Sequence, residues 1–520
     1  MPSKALDHVH RLIHSMDRAE KRYFKLYTSR HMPGGKNGSQ RLFDAIAAME
    51  SYDEAALLLR FKHEPFVKRF AITKRRLYET ILRSLDAFHA ERSVDDRLRR
   101  RLHEVELLHR KALYGDARKH LESVRKLARE HERHTVLLEV NEWERRLIER
   151  VNYSGAEGDT GDHLTKQAAL LHEEMRTIEE LWALKSKVFM CIYRSDSPGM
   201  TGTNDVLKGV SNSALLHKAR KAGSSRARYL HHHIHAAIAF AQGELARSDE
   251  HLAANHTLLI TRSAHFVDPE QLLFAVLSNR VYIHSRLGDV PGTEQLLKEF
   301  DRWPKIWNDP GATDLRSRVF ATVTSLRLAL LADAGEFEQA LQLVPSIREG
   351  LERHASAMSP LRRESLYLQL AFIHFGAGHY DQATQWSNRQ LNEPDVDEHG
   401  ETYHLGRLLD LMIQVELAKK DLLPYTLRNL ARYLRTRGGP GPIEEVLLSY
   451  ARATLDRSAQ GGHTKALERF GQVLTATSSD TRTVRIITQL KLDDWCAAKR
   501  SGEPFAEVVK EHVRRSRNAA

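Results

Sequence analysis

Four histidines stand within five positions, His231, His232, His233 and His235, and metal binding is the first chemistry they invite. His231 and His235 are four apart, which puts them on one face of a helix. A zinc site, however, needs three or four converging ligands held by hydrogen-bonded outer partners. No HExxH is present, and the nearest string, His131-Glu132-Arg133-His134, is one residue short. With 29 histidines in the chain, helical pairs arise by coincidence, so these residues, like His8, His10 and His14, are expected to be structural or superficial. The loop Gly34-Gly35-Lys36-Asn37-Gly38-Ser39 has the letters of a phosphate loop in the wrong order, with no strand before it, and is expected to be a surface turn. Cys191 and Cys496 are too far apart in sequence to form a metal or redox motif. Carboxylates are plentiful on what would be solvated faces, and none is singled out for acid–base work. The expectation is therefore no catalytic residue, no cofactor and no metal, hence no enzyme.

What must carry these residues is a helical scaffold. Apolar residues recur three and four apart almost throughout, and strand-like alternation is scarce. Glycine, proline and serine cluster between the periodic runs, at 32–39, 154–161, 196–204 and 437–442, and those are read as loops. A chain of 520 residues exceeds one ordinary core, so several domains or a repeat array are required. Two amphipathic helices in Tyr367–Pro394 are joined by G-H-Y-D-Q-A, with Gly378 opening the turn, Tyr380 packing into it and the small Ala383 letting the helices approach. The turn recurs as G-E-F-E-Q-A, with Gly335, Phe337 and Ala340. Weaker copies begin at Gly243, Gly288, Lys420 and Gly461, and an upstream copy carries Ala112, Tyr114 and Ala117. From Gly243 onward the spacing is 41 to 47 residues, and the gap from 112 to 243 fits three units, with the loops at 154–161 and 196–204 near the missing turns.

This Gly-x-aromatic/Leu-x-x-Ala turn resembles the tetratricopeptide (TPR) family, whose usual period is 34 residues. The longer period makes the chain TPR-like, and a HEAT-type array would share it. The opening run RLIHSMDRAEKRYFKLY is also similar to bacterial TPR-like proteins with no assigned activity. The resemblance implies an all-α fold: an α-solenoid over 93–520 whose stacked hairpins bury one another's apolar faces, led by a smaller helical domain over 1–92. It also implies a concave surface formed by the first helix of each hairpin, with Tyr282, Arg286, Phe372 and Phe375 as candidate peptide or protein contacts. The Asn/Lys pattern by which some members clamp a C-terminal carboxylate is missing, since Ser278, Ser325 and Leu368 occupy the matching positions.

Charge is unevenly placed. Residues 1–100 hold 21 Lys and Arg against 13 Asp and Glu, while the whole chain has a net charge of +11. Phe66–His89 reads as one helix started by Pro65, with Phe70, Leu77, Ile81, Leu85 and Phe88 on one side. Lys68, Arg69, Arg75, Arg76 and Arg83 form the opposite sector. A short helix over Asp53–Phe61 and a turn at Lys62–Pro65 precede it, which is the outline of a helix-turn-helix. A second basic-aromatic run, Lys21 to Tyr27, is expected to place Phe24 and Tyr27 in the core and its cations outside. No apolar stretch is long enough to cross a bilayer, and no secretory signal is legible. The expected role is a cytoplasmic, non-catalytic protein or peptide binder. The alternative is a partner-responsive regulator whose basic N-terminal domain touches DNA or RNA.

Overall fold

The computed structural model describes residues 7–31, 38–91, 93–154, 158–194, 203–219, 223–302, 313–355, 357–394, 396–417, 422–455, 462–476 and 481–519. Among these the regular structure is helical, with no strand. The glycine loop up to Asn37, most of the 196–204 loop and the turn copies at Lys420 and Gly461 lie outside the described residues. The chain divides into two compact units at Val276/Leu277, inside the helix Pro269–Arg286.

The first helices of the N-terminal unit are His8–Ser15, Arg18–His31, Gly38–Ala47, Glu54–Arg60 and Phe70–His89. Two of these starts have a clear local cause. Asp7 accepts from Val9 N (2.9 Å) and His10 N (3.2 Å), and Asp53 accepts from Ala56 N (3.0 Å). Val9, Ile13, Leu42, Phe43, Leu77 and Ile81 share one apolar cluster, in which Phe24 stacks on Phe43 at 4.4 Å. The expected single helix from Phe66 is split: Pro65–Arg69 is a 3-10 turn, and the α-helix begins at Phe70. Arg69 leaves helical geometry (φ −132°, ψ 43°), which lets Phe66 turn in against Phe61 while Phe70 enters the core. Lys74 then ties the cluster together through Asp7 and Glu54 (both 2.7 Å) and the Tyr52 hydroxyl (2.9 Å).

Further along, the connections repeat one piece of backbone chemistry. Ala112, Glu132, Gly243, Gly288, Gly335 and Gly378 all take positive φ, between 50° and 79°. After each, the next N–H reaches back five residues, as in His379 N to His374 O (2.8 Å) and Glu336 N to Leu331 O (2.8 Å). Together with Gly378 N to Phe375 O (3.0 Å), this closes the helix end in a Schellman turn. Five positions after the turn residue stands a small, fully buried side chain in five copies: Ala117, Ser248, Thr293, Ala340 and Ala383. The glycine is needed for its φ rather than for space, because a β-carbon at Gly243, Gly288 or Gly378 would meet nothing within 4 Å. Ala112 and Glu132 take the same conformation with a side chain, at a cost of about 1–2 kcal/mol each.

Helices pair across these turns. Val94–Arg110 packs on Tyr114–Glu130, Ser225–Ala241 on Leu245–Thr261, and Pro360–Gly376 on Tyr380–Leu391. The beat is not even, however. Between Ala112 and Gly243 lies one helix of 35 residues, Thr160–Arg194, followed by the short Thr203–Ser211 and Ala214–Ala219. From Asp162 to Arg194 there is neither glycine nor proline, so nothing in that stretch breaks the helix. Conversely, Pro345 cannot donate to Leu341, and the helix begun at Phe337 stops there before Val344–Arg353 resumes.

In the C-terminal unit, Thr313–Asp333, Pro360–Gly376, Glu401–Leu417 and Pro442–Leu455 pack each on the next. Residues 481–519 do not extend this succession. Thr481–Leu490 and Leu492–Ser501 return against Glu401–Leu417 and Gly462–Ala476, and Phe505–Ala519 follows them.

The buried small residue makes a direct prediction. Ala383 has no exposed surface, so Ala383→Leu should lower unfolding free energy by about 1–3 kcal/mol through overpacking. Hydrogen exchange should rise first around 360–400 and leave the N-terminal unit unchanged. Unaltered protection at 360–400 would show that Ala383 is not a helix–helix contact.

Candidate binding site

Of the four residues the repeat frame nominates, two are inside. Phe372 and Phe375, on Pro360–Gly376, are buried. They form one aromatic nest with Phe337 and Phe505: ring centroids lie 5.7 Å apart for Phe337–Phe505, 6.3 Å for Phe372–Phe505 and 5.6 Å for Phe375–Phe505. Phe337 also lies over Gly376, where a β-carbon would meet its ring at 2.3 Å. Phe505, at the start of the final described helix, contributes to covering both rings. Tyr282 is 45% exposed, and Arg286 is exposed on the same helix.

Two clefts flank the returning segment. One of about 330 Å³ is lined by Leu328, Ala332, Asp333, Leu368, Phe372 and Lys491. The other, about 830 Å³, is lined by Arg286, Leu287, Pro291, Ile487, Lys491 and His512, among others. Arg286 and Phe372 thus belong to different clefts, and Lys491 borders both. Lys491 holds a left-handed backbone (φ 46°) between two helices while its Nζ reaches Asp333 at 3.0 Å. Nothing in the sequence pattern marks it.

The charges around the returning helices are matched. Glu416, on Glu401–Leu417, accepts from Trp495 Nε1 (2.6 Å) and Lys499 Nζ (2.5 Å). Lys510 lies 3.6 Å from Glu336, and His512 Nδ1 lies 2.7 Å from Asp494. Burial and the neighbouring Asp494 raise the Asp493 carboxyl above its ordinary value.

The N-terminal unit has a cleft of about 480 Å³, whose lining includes Glu132, Arg133, Trp182, Lys185, Tyr229 and His265. His131-Glu132-Arg133-His134 is here a structural latch. Glu132 accepts from Ser225 N (2.8 Å) and Ser225 Oγ (3.1 Å), at the start of Ser225–Ala241. Arg133 pairs with Asp95 (2.9 Å) and donates to His265 O (3.0 Å). Ser225, His265 and Glu132 have the residue types of a hydrolytic triad but not its geometry. Both Ser225 Oγ and Glu132 Oε1 approach the same ring nitrogen, His265 Nδ1, at 2.8 Å, whereas a relay places serine and acid on opposite nitrogens.

The histidine run falls on Ser225–Ala241. His231 and His235 have centroids 4.6 Å apart, and His235 stacks on His251 at 4.9 Å. His233 points elsewhere, between Phe189 (5.1 Å) and Tyr229 (5.5 Å). Burial first, then Lys185, pushes His233 down to about 4, and burial with the neighbouring histidines does the same to His251. Among the described residues, no group of three or more His, Cys, Asp or Glu is arranged to hold a metal ion.

In the basic helix and the turn before it, Lys68, Arg69, Arg75, Arg76 and Arg83 sit on the outer side, and Phe70, Leu77 and Ile81 are buried. Arg75 pairs with Glu79 at 3.1 Å. No described helix is long and apolar enough to cross a membrane.

Neither the known protein-family models nor the curated proteins contain a match to this chain.

Proposed function

We propose that the chain is a cytoplasmic, non-catalytic binding protein, a TPR-like α-solenoid that takes a protein or peptide helix against the first helices of its hairpins. The observation carrying this reading is the packing of Thr313–Asp333, Pro360–Gly376, Glu401–Leu417 and Pro442–Leu455 each on the next, with a second helix following each in sequence. Stacked hairpins of this kind present an extended surface made from one helix of every unit. The Schellman turns with a small buried residue five positions on support the same frame, as does the spacing of those turns along the chain.

The second reading gives the basic N-terminal domain a nucleic-acid role beside a sensing solenoid. It is favoured by five cations opposite a buried apolar face on Phe70–His89 and its preceding turn. One capture experiment from native cytosol, with and without nuclease, separates the two. A protein partner retained after nuclease supports the binder, and loss of all partners overturns it. For the regulator, fluorescence anisotropy on duplex DNA should show binding at about 50 mM salt that weakens steeply as salt rises. Arg75→Ala with Arg76→Ala should then flatten the salt slope by about two units, one for each arginine withdrawn from a phosphate. A parent chain with no salt-dependent binding rules the regulator out.

A further inference from the structure

The last helix is attached differently from the rest of the C-terminal unit. Of the residues described in Phe505–Ala519, only Phe505 and Val509 are buried. It follows a hinge, Gly502 at φ 77° and then Pro504, after the helix Leu492–Ser501. Yet it meets the turn at Gly335, the start of the helix Phe337–Leu341 and the last turns of one first helix, Pro360–Gly376. Phe505 fills the nest made by Phe337, Phe372 and Phe375. One turn on, its backbone comes so close to the hairpin turn that a β-carbon at Gly335 would meet Lys510 Cγ at 2.8 Å and Ala506 O at 3.0 Å. There Lys510 faces Glu336.

We propose that Phe505–Ala519 is an internal ligand, a clasp that occupies the recognition groove until a partner displaces it. The partner chemistry follows from what the groove already holds. It is an amphipathic helix with an aromatic anchor and a basic residue five positions later, read by the aromatic nest and by the carboxylate of Glu336. Few buried anchors and a glycine hinge put this helix at the low-stability end of the molecule, where displacement costs least. The tether keeps the internal copy at high effective concentration, so the parent chain should bind an external copy weakly. The proposal rests on the binder reading and specifies its groove and its partner class.

The test uses the full chain and a labelled peptide spanning residues 503–519, followed by anisotropy. Phe505→Ala in the chain removes the internal anchor and leaves the groove untouched. Its affinity for the peptide should exceed the parent's by at least about tenfold, the factor by which the competent state is unmasked. A peptide carrying Phe505→Ala should not bind. Lys510→Glu in the chain weakens the clasp from a partly exposed position, and it should raise peptide affinity several-fold even if Phe505→Ala lowers helicity. Equal affinity for parent and both variants, or no binding to either variant, overturns the clasp. A concentration-dependent parent dimer that exchanges this helix would also overturn it, because the occupant would then come from a second copy. None of these outcomes depends on a cellular partner, so the capture experiment remains the separate check on the binder reading.

Discussion

Trp495→Ala should lower the unfolding free energy of the C-terminal unit by about 3–5 kcal/mol, the range for deleting a fully buried large aromatic side chain. Trp495 is 1% exposed, and its ring meets Tyr450 at 5.6 Å and Phe470 at 5.9 Å, both edge-on. It also touches Phe375 at 6.5 Å, so it joins the returning helices to the hairpin faces. The loss goes beyond packing. Its Nε1 donates to Glu416, a nearly buried carboxylate that would lose one of its donors and keep Lys499 and the Tyr380 hydroxyl. A buried acceptor losing its donor adds its own desolvation cost, which puts the expected value in the upper part of the range. Urea unfolding followed by circular dichroism would measure it. Trp495→Phe should cost markedly less, since most of the ring volume stays. Equal losses for the two variants would assign the effect to the Glu416 hydrogen bond, and a loss below about 1 kcal/mol would mean the site relaxes around the void.

Acid should destabilise the N-terminal unit through His233. In the folded chain its imidazole is held at about 4 by burial and by Lys185, against 6.5 in the unfolded chain. Above pH 6.5 both states are neutral and the contribution is fully present. Between 6.5 and about 4 the unfolded state binds the extra proton, so stability is lost as pH falls through that window. A shift of this size amounts to about 3 kcal/mol at the acid end. His233→Phe keeps a flat ring between Phe189 and Tyr229 and removes the titration. The difference in Tm between pH 7.5 and pH 5 should therefore be smaller for the variant than for the parent. An identical difference would place the acid sensitivity elsewhere, with His251 next in line because it too is held at about 4. Asp410 acts in the opposite direction. Burial raises its carboxyl to about 6, so the folded state binds that proton first and gains from acidification. Comparing parent with variant cancels this contribution.

The repeat turns are legible in the chain because their chemistry is local. A left-handed backbone position favours glycine, and closely packed hairpins favour Ala, Ser or Thr five residues on, so Gly243, Gly288, Gly335 and Gly378 stand out. Ala112 is legible only through its neighbours, and Glu132 is not legible as a turn at all, because neither is the glycine that signals the conformation. The basic stripe on Phe70–His89 is also readable, since charge and periodicity show which side faces water.

Helical class, the glycine turns and the solvated faces were thus determined by the sequence alone, because each depends on residues within a few positions of one another. What covers Phe372 and Phe375 was decided only in three dimensions. Phe372 and Phe375 look the same in sequence whether they face a partner or Phe505, more than 120 positions away. The same holds for Lys491 with Asp333, Trp495 with Glu416, and Glu132 with Ser225. No short-range pattern encodes such contacts, since what selects them is the shape and charge that remain once the hairpins have packed.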